Sequence, residues 1–530
     1  MRDGKIFRRL KWSVGVLAVA LVLSACSGPA EEQKENAEFS IPSFPTQTVQ
    51  HKEKAEKTVT LDKPGSGAYD ATLKKAISDA GNQVVALVMP LGNYQITEDL
   101  TIPENIQLSV QKGAYFTVAS GKTLTVKGWV DAEDSYIFRG KGTVAGPIQG
   151  EGYVQWFGAD EMSGDHTAAF QKAIDACKVV LVPNRNGGYK FQHLTFKSPV
   201  EMKGVGTNRV SMSVLTSSSN DFFVIQSSNV TIRNITMECK LDSKANNKMG
   251  IYLNTAKGSL ENILIENVVL NDPGFGIGDS FSKENTVKNL MLDKVIVDRN
   301  RNTGVHLTDA VTGIILRDVT VNSFGPNVGS KGYIFENVEE MYLENVDVLG
   351  GFEKSHDTGD GITFQNCKNV SCYRVMIDYV SGKQLVMKDC SGFRFSNFVT
   401  SLLKFEGIYM ENVTDSVFDV MKANGTYNTS APAMYMKNCS GNTFIDLMVM
   451  NSKADGLSMV NCTDNVFHNL VLSEHVGKAL VETGGSGNVF NGVSCRDSKQ
   501  GISLKGDNTI NGYLKADGSS VTTITGPYNG

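Results

Sequence analysis

Gly304-Val305-His306-Leu307-Thr308-Asp309 and Gly332-Tyr333-Ile334-Phe335-Glu336-Asn337 are two copies of one six-residue phrase. Gly361-Ile362-Thr363-Phe364-Gln365-Asn366, Gly407-Ile408-Tyr409-Met410-Glu411-Asn412 and Gly456-Leu457-Ser458-Met459-Val460-Asn461 align with them without gaps. Apolar residues recur at every second place, and that period of two is the mark of a strand. With Asp389 and Asn438 filling the intervening units, the closing Asn or Asp stands at 309, 337, 366, 389, 412, 438 and 461. Intervals of roughly 23 to 29 residues match one coil of a parallel β-solenoid.

A second alternating stretch follows each phrase, as in Ile314-Ile315-Leu316-Arg317-Asp318-Val319-Thr320-Val321 and Met341-Tyr342-Leu343-Glu344-Asn345-Val346-Asp347-Val348. Length variation gathers in the loop after it. Asn suits the turn because it tolerates left-handed backbone angles, and stacked amides can hydrogen-bond from coil to coil. The cysteines keep the same beat in Asn366-Cys367, Asp389-Cys390, Asn438-Cys439 and Asn461-Cys462. They read as buried small hydrophobes, because neighbouring strands about 4.8 Å apart offer poor disulfide geometry. The expected fold is all-β: a right-handed parallel β-helix with a short N-terminal capping helix and a small β-solenoid ahead of it.

At the start, Arg2, Lys5, Arg8, Arg9 and Lys11 precede an apolar run from Val14 to Leu23, which is too short for a comfortable membrane span and reads as an export signal. The run ends in Leu23-Ser24-Ala25-Cys26, which resembles the bacterial lipobox. That resemblance implies acylation of the Cys26 thiol and a membrane-held, exported protein in the cell envelope, in the outer membrane if the host has one. The competing reading is an ordinary secretory signal whose cleavage site contains a cysteine. Polar, aperiodic sequence from Ser27 to about Lys57 suits a tether. The expected layout is a signal at 1–26, a tether at 27–56, the small β-solenoid at 57–153, the main β-helix at 154–515 and a tail at 516–530.

Of 530 residues, 41% are hydrophobic and 20% charged, with a net charge of -5. No broad positive surface is available, so nucleic acid is not an expected partner.

Between these regions lie Gln155-Trp156-Phe157-Gly158-Ala159 and Gly164-Asp165-His166-Thr167-Ala168-Ala169-Phe170-Gln171-Lys172-Ala173-Ile174-Asp175-Ala176-Cys177. This pairing resembles the opening motif of pectate-lyase-superfamily proteins, with the family's Gly-Asp-Gly loop shortened. Asp165 can cap the helix, and Ala169, Phe170, Ala173, Ile174 and Cys177 form its apolar stripe. Val179-Val180-Leu181-Val182-Pro183 resembles the family's first strand, and Leu73 to Ala80 with Val84 to Pro90 repeats the helix-strand theme upstream. The resemblance implies a long acidic polysaccharide as ligand and polysaccharide lyase or glycoside hydrolase chemistry. A non-catalytic polysaccharide-binding or envelope-structural protein is the alternative, since fold does not fix function.

Long loops at 271–280, 298–304, 322–332 and 350–361 would stack into a groove that carries the densest charge in the chain. Asp357 and Asp360 are the candidate carboxylates for hydrolysis, and Arg299, Arg301, Lys331 and Lys383 the candidate bases for elimination. His306 is a candidate proton carrier or a plain surface residue. Lys331, Asp360, Lys383 and Glu406 stand at one station of successive coils, which also suits a solvent-facing salt-bridge ladder. Tyr409 and Tyr435 offer a flat platform for sugar faces. Calcium is a candidate ion for neutralising a uronate, although no metal motif or cofactor signature is present. The Asn-Thr-Asp, Asp-Asp, Gly-His-Gly and Arg-Ile-Lys segments of polygalacturonases and the Asp-Pro-His-Asp of alginate epimerases are absent.

Overall fold

Left-handed turn residues set the coil. Asn337, Asn366, Asp389, Asn412, Asn438 and Asn461 all have φ between 51° and 56°, an angle that swings the chain out of one sheet toward the next. Their side chains stack as expected: Asn412 donates to Asp389 at 2.7 Å, Asn438 to Asn412 at 3.2 Å and Asn461 to Asn438 at 3.5 Å. The computed structural model describes residues 51–161, 164–215, 221–239, 248–280, 285–308, 311–322, 330–350, 359–401, 405–426, 431–515, 524–525 and 528–529. Asp309 and the signal with Cys26 therefore lie outside the described residues.

Two long parallel sheets carry the main β-helix. A front sheet of 14 strands takes one strand from each coil, among them Val305–Thr308, Tyr333–Glu336, Ile362–Gln365, Leu385–Lys388, Ile408–Glu411 and Met434–Lys437. A back sheet of 19 strands takes the second stretches, such as Glu339–Leu349 and Lys368–Asp378. Registers are unbroken along the front: Val305, Tyr333, Ile362, Leu385, Ile408 and Met434 pair in sequence and face the core. His306, Ile334, Thr363, Val386, Tyr409 and Tyr435 form the next rung on the side away from the core, where Thr363 and Val386 are buried and the other four half-buried.

Residues ahead of the main coils build three short sheets. One has four strands, Lys57–Thr60, Val85–Met89, Ile106–Val110 and Val130–Ala132, and two have three. A parallel bridge between Trp129 and Gln149 carries the four-stranded sheet on toward the back sheet. Helix α1 spans Asp70–Ala80 and α2 spans Thr167–Ala176. Asp165 accepts the Thr167 amide at 2.9 Å just ahead of α2, whose buried stripe is Ala169, Phe170, Ala173 and Ile174. Cys177 has already left the helix and opens the strand Cys177–Pro183.

Inside, identical residues stack like with like. Phe418, Phe444, Phe467 and Phe490 form a column with centroids 4.8, 4.7 and 4.8 Å apart, set by the strand spacing itself. A second Asn ladder is fully buried: Asn442 donates to Asn465, Asn465 to Asn488 and Asn488 to Asn508, at 2.9, 2.9 and 2.8 Å. Glu482 ends it, accepting from Asn508 at 3.1 Å and from the Lys505 amide at 2.9 Å. A polar row survives here because each group finds a partner. The eight described cysteines are free thiols, all buried.

Candidate functional site

Glycine opens most of the repeated phrases for a steric reason, with Gln384 and Ala433 in its place in the units that close at Asp389 and Asn438. A Cβ on Gly332 would stand 2.6 Å from the Gly361 oxygen, and one on Gly361 would stand 2.6 Å from both the Gln384 oxygen and Ile377 Cγ2. The chain enters the front sheet so closely packed that the preceding residue must point outward. Lys331, Asp360, Lys383 and Glu406 occupy that place, one per coil.

The coil spacing brings them together in pairs. Lys331 Nζ lies 3.3 Å from Asp360 Oδ2 and donates to Thr363 Oγ1 at 3.1 Å. Asp360 Oδ1 accepts the Lys383 amide at 2.9 Å, and Lys383 Nζ lies 3.8 Å from Glu406. These groups are a fifth to a third exposed, so each ion pair contributes about 0.2 to 1 kcal/mol.

Lys383 also stands over the Tyr409 ring, 3.6 Å from its centroid, and Tyr409 stacks on Tyr435 at 5.4 Å and 24°. The Tyr409 hydroxyl donates to Glu411 at 2.9 Å, and Lys437 donates to the other Glu411 oxygen at 2.8 Å. Burial, followed by the bond to Glu411, pushes the Tyr409 phenol up to about 12. Lys437 and Tyr409 hold the Glu411 carboxyl below its usual range. The result is one strip of aromatic faces, ammonium groups and carboxylates running along the coil axis.

His306 belongs to the same rung but is not an exposed surface residue. Its side chain is 17% exposed, 3.8 Å from Glu336, and burial followed by the Lys331 charge pushes it down to about 4. It is neutral at physiological pH.

Arg299 and Arg301 sit elsewhere, on the turn leaving the back sheet. Arg299 makes a bidentate pair with Asp272, at 2.9 and 3.0 Å, and also bonds Asp298. The bonds to Asp272 raise its pKa, the wrong direction for a base. Burial, then the Asp272 charge, raises the Asp298 carboxyl. Arg301 is fixed through its amide to the Pro273 oxygen at 3.0 Å. Part of the loop expected at 271–280 is the strand Phe275–Asp279, and Asp279 is spent on Thr308, accepting from its amide at 2.7 Å and its hydroxyl at 2.9 Å. Asp357 lies outside the described residues.

Calcium does not fit what is described. Among the described residues no group of three or more His, Cys, Asp or Glu side chains is placed to hold an ion, and Arg299 already bridges Asp272 and Asp298.

No protein-family model matches the chain, and no curated protein matches it in sequence. Solved structures align with parts of it at low identity. Tailspike protein 3 of bacteriophage CBA120 aligns with 70% of this chain at 12% identity and a TM-score of 0.44, and the chain spans 62% of that tailspike. The A-module of the Azotobacter vinelandii mannuronan C-5 epimerase AlgE4 aligns with 72% of the chain and 99% of its own length, at 14% identity and a TM-score of 0.32. The Agl-KA catalytic domain aligns over 70% and 68%, at 15% identity and a TM-score of 0.37. Nothing about the site follows from these alignments.

Sequence reasoning found the ladder Lys331, Asp360, Lys383 and Glu406 and the tyrosine pair but passed over Thr363, Glu411 and Lys437. Their signal was present, since they occupy the second and fourth strand positions of the same phrase, which alternation turns outward.

Proposed function

We propose that this chain is an exported, lipid-anchored envelope protein that engages an acidic polysaccharide along the front-sheet strip and cleaves it. The strip centred on Lys383, Tyr409 and Tyr435 carries the reading. Stacked aromatic faces suit the apolar faces of sugar rings, Lys331 and Lys383 suit uronate carboxylates, and coils about 4.8 Å apart repeat these features along a polymer's length. Hydrolysis would use Asp360 with Asp357, and elimination would use Lys331 or Lys383 as base.

One observation favours the second reading, in which glycan is held and not cut. Both Asp360 oxygens are already engaged, by Lys331 and by the Lys383 amide. Incubating the chain with a panel of uronic-acid polysaccharides, while following absorbance of unsaturated ends and reducing sugar together, separates the cases. Both signals mean elimination, and reducing ends alone mean hydrolysis. Silence across the panel with glycan still bound leaves the binding reading, and silence with no binding removes both. Anchoring is tested apart from this: Cys26→Ser should abolish incorporation of labelled palmitate and move the protein from the membrane to the soluble fraction.

A further inference from the structure

Away from the front strip, the outer face of the back sheet holds a groove where the small coils pass into the large ones. Its volume is about 710 Å³, inside the roughly 300 to 1,000 Å³ of small-molecule sites. Trp129 lines it, and the ring has a built seat. Gly150 has φ of 76°, and a Cβ there would stand 2.2 Å from Trp129 Cζ3. Only glycine lets the indole lie against the next coil.

The two described tryptophans are used differently. Trp156 is 1% exposed and its indole nitrogen donates to the Glu133 oxygen at 2.9 Å. Trp129 is half-buried and lines the open groove.

Polar groups around the ring are held in place. Glu151 is paired with Lys203 at 2.6 Å, and Glu201 with Arg233 at 3.2 Å. Lys178 donates to the Gln149 side chain at 2.7 Å. Asp131, one coil back, is exposed on the groove wall. Counting Lys52, the lining carries three lysines against three carboxylates, which leaves no net charge to select an anion. An indole face with fixed acceptors and donors at its rim is the chemistry that recognises a sugar ring, whose C–H face stacks and whose hydroxyls hydrogen-bond.

We infer that this groove is a second saccharide site, one that takes an uncharged sugar ring on Trp129. It stands independently of the acidic-glycan strip. With both occupied, one chain would hold two glycans of different charge.

The test uses the full chain in detergent micelles, titrated with neutral hexasaccharides of β-glucan, mannan and xylan. Tryptophan emission and calorimetry are read together. At least one probe should bind with a shift in emission. Trp129→Phe should weaken that binding tenfold or more, and Asp131→Asn, at an exposed position that does not bear on folding, should weaken it three- to tenfold. Tyr409→Ala should leave it unchanged. The inference is overturned if no neutral probe binds, if binding survives both groove variants, or if Tyr409→Ala abolishes it. The front-strip reading is judged separately, by whether Tyr409→Ala weakens an acidic hexasaccharide.

Discussion

Replacing Asn465 tests whether the buried amide row holds the coils in register. Its side chain donates to the oxygens of Cys439, Thr463 and Asn488 at 3.0, 3.0 and 2.9 Å, and accepts from the Asn442 amide and side chain at 3.2 and 2.9 Å. In Asn465→Ala most of the partners keep another bond. Cys439 O still receives the Thr463 amide, Asn488 Oδ1 still receives the Asn465 amide, and Asn442 Nδ2 still reaches Val413 O. The Asn442 amide keeps none of the bonds described for it. One buried orphan costs about 1 to 3 kcal/mol and each of the four further lost bonds about 0.5 to 1.5, so the expected destabilisation is at least about 3 kcal/mol. Asn461→Gly is the control. Its residue is exposed, its amide contact is 3.5 Å long, and glycine accepts the φ of 51°, so the change should stay within about 0.5 kcal/mol. Urea unfolding followed by circular dichroism gives the difference, and hydrogen exchange over residues 439–490 shows whether the loss is local. If the two variants lie within 1 kcal/mol of each other, the buried row is not what registers the coils.

Lys383→Ala removes the ammonium over Tyr409 and the partner of Glu406, and should weaken an acidic oligosaccharide about 5- to 30-fold while leaving the melting temperature within a few degrees. His306 and His475 are both pushed down to about 4, chiefly by burial, so the folded state resists protons that the unfolded state takes up. Stability is therefore full above about pH 6.5 and falls as pH drops toward 4. Melting curves across that window should flatten in His475→Asn, and an unchanged slope would show that His475 does not contribute. The eight buried thiols should resist alkylation in the native protein and react on denaturation; rapid native labelling would mean the coils open.

The coil was readable because its period is enforced at every turn. Asn at φ near 52°, glycine where backbones nearly touch, and a phenylalanine once per coil each leave a mark in the sequence. The ladder Lys331, Asp360, Lys383 and Glu406 was readable for the same reason. What lay off the period was harder. Arg299 looked like an available base, yet Asp272 from the preceding coil holds it, and only the fold brings them together. His306 was placed outward correctly, but its low exposure depends on neighbouring coils that alternation does not describe. The buried Asn row was hidden in plain triplets, Ser440-Gly441-Asn442, Thr463-Asp464-Asn465 and Ser486-Gly487-Asn488, beside the louder Asn that closes each phrase. Trp129 was passed over because the small coils were read only for packing.

The recurring junction between successive coils also makes the molecule a natural unit of recombination. Lys437-Asn438-Cys439-Ser440-Gly441-Asn442-Thr443-Phe444 and Val460-Asn461-Cys462-Thr463-Asp464-Asn465-Val466-Phe467 present the same junction twice. A crossover between them would excise or duplicate one whole turn and leave every rung on either side facing a like neighbour. The length of the outward strip is then a quantity that unequal crossing-over can adjust in single steps, with no new fold to discover at each one.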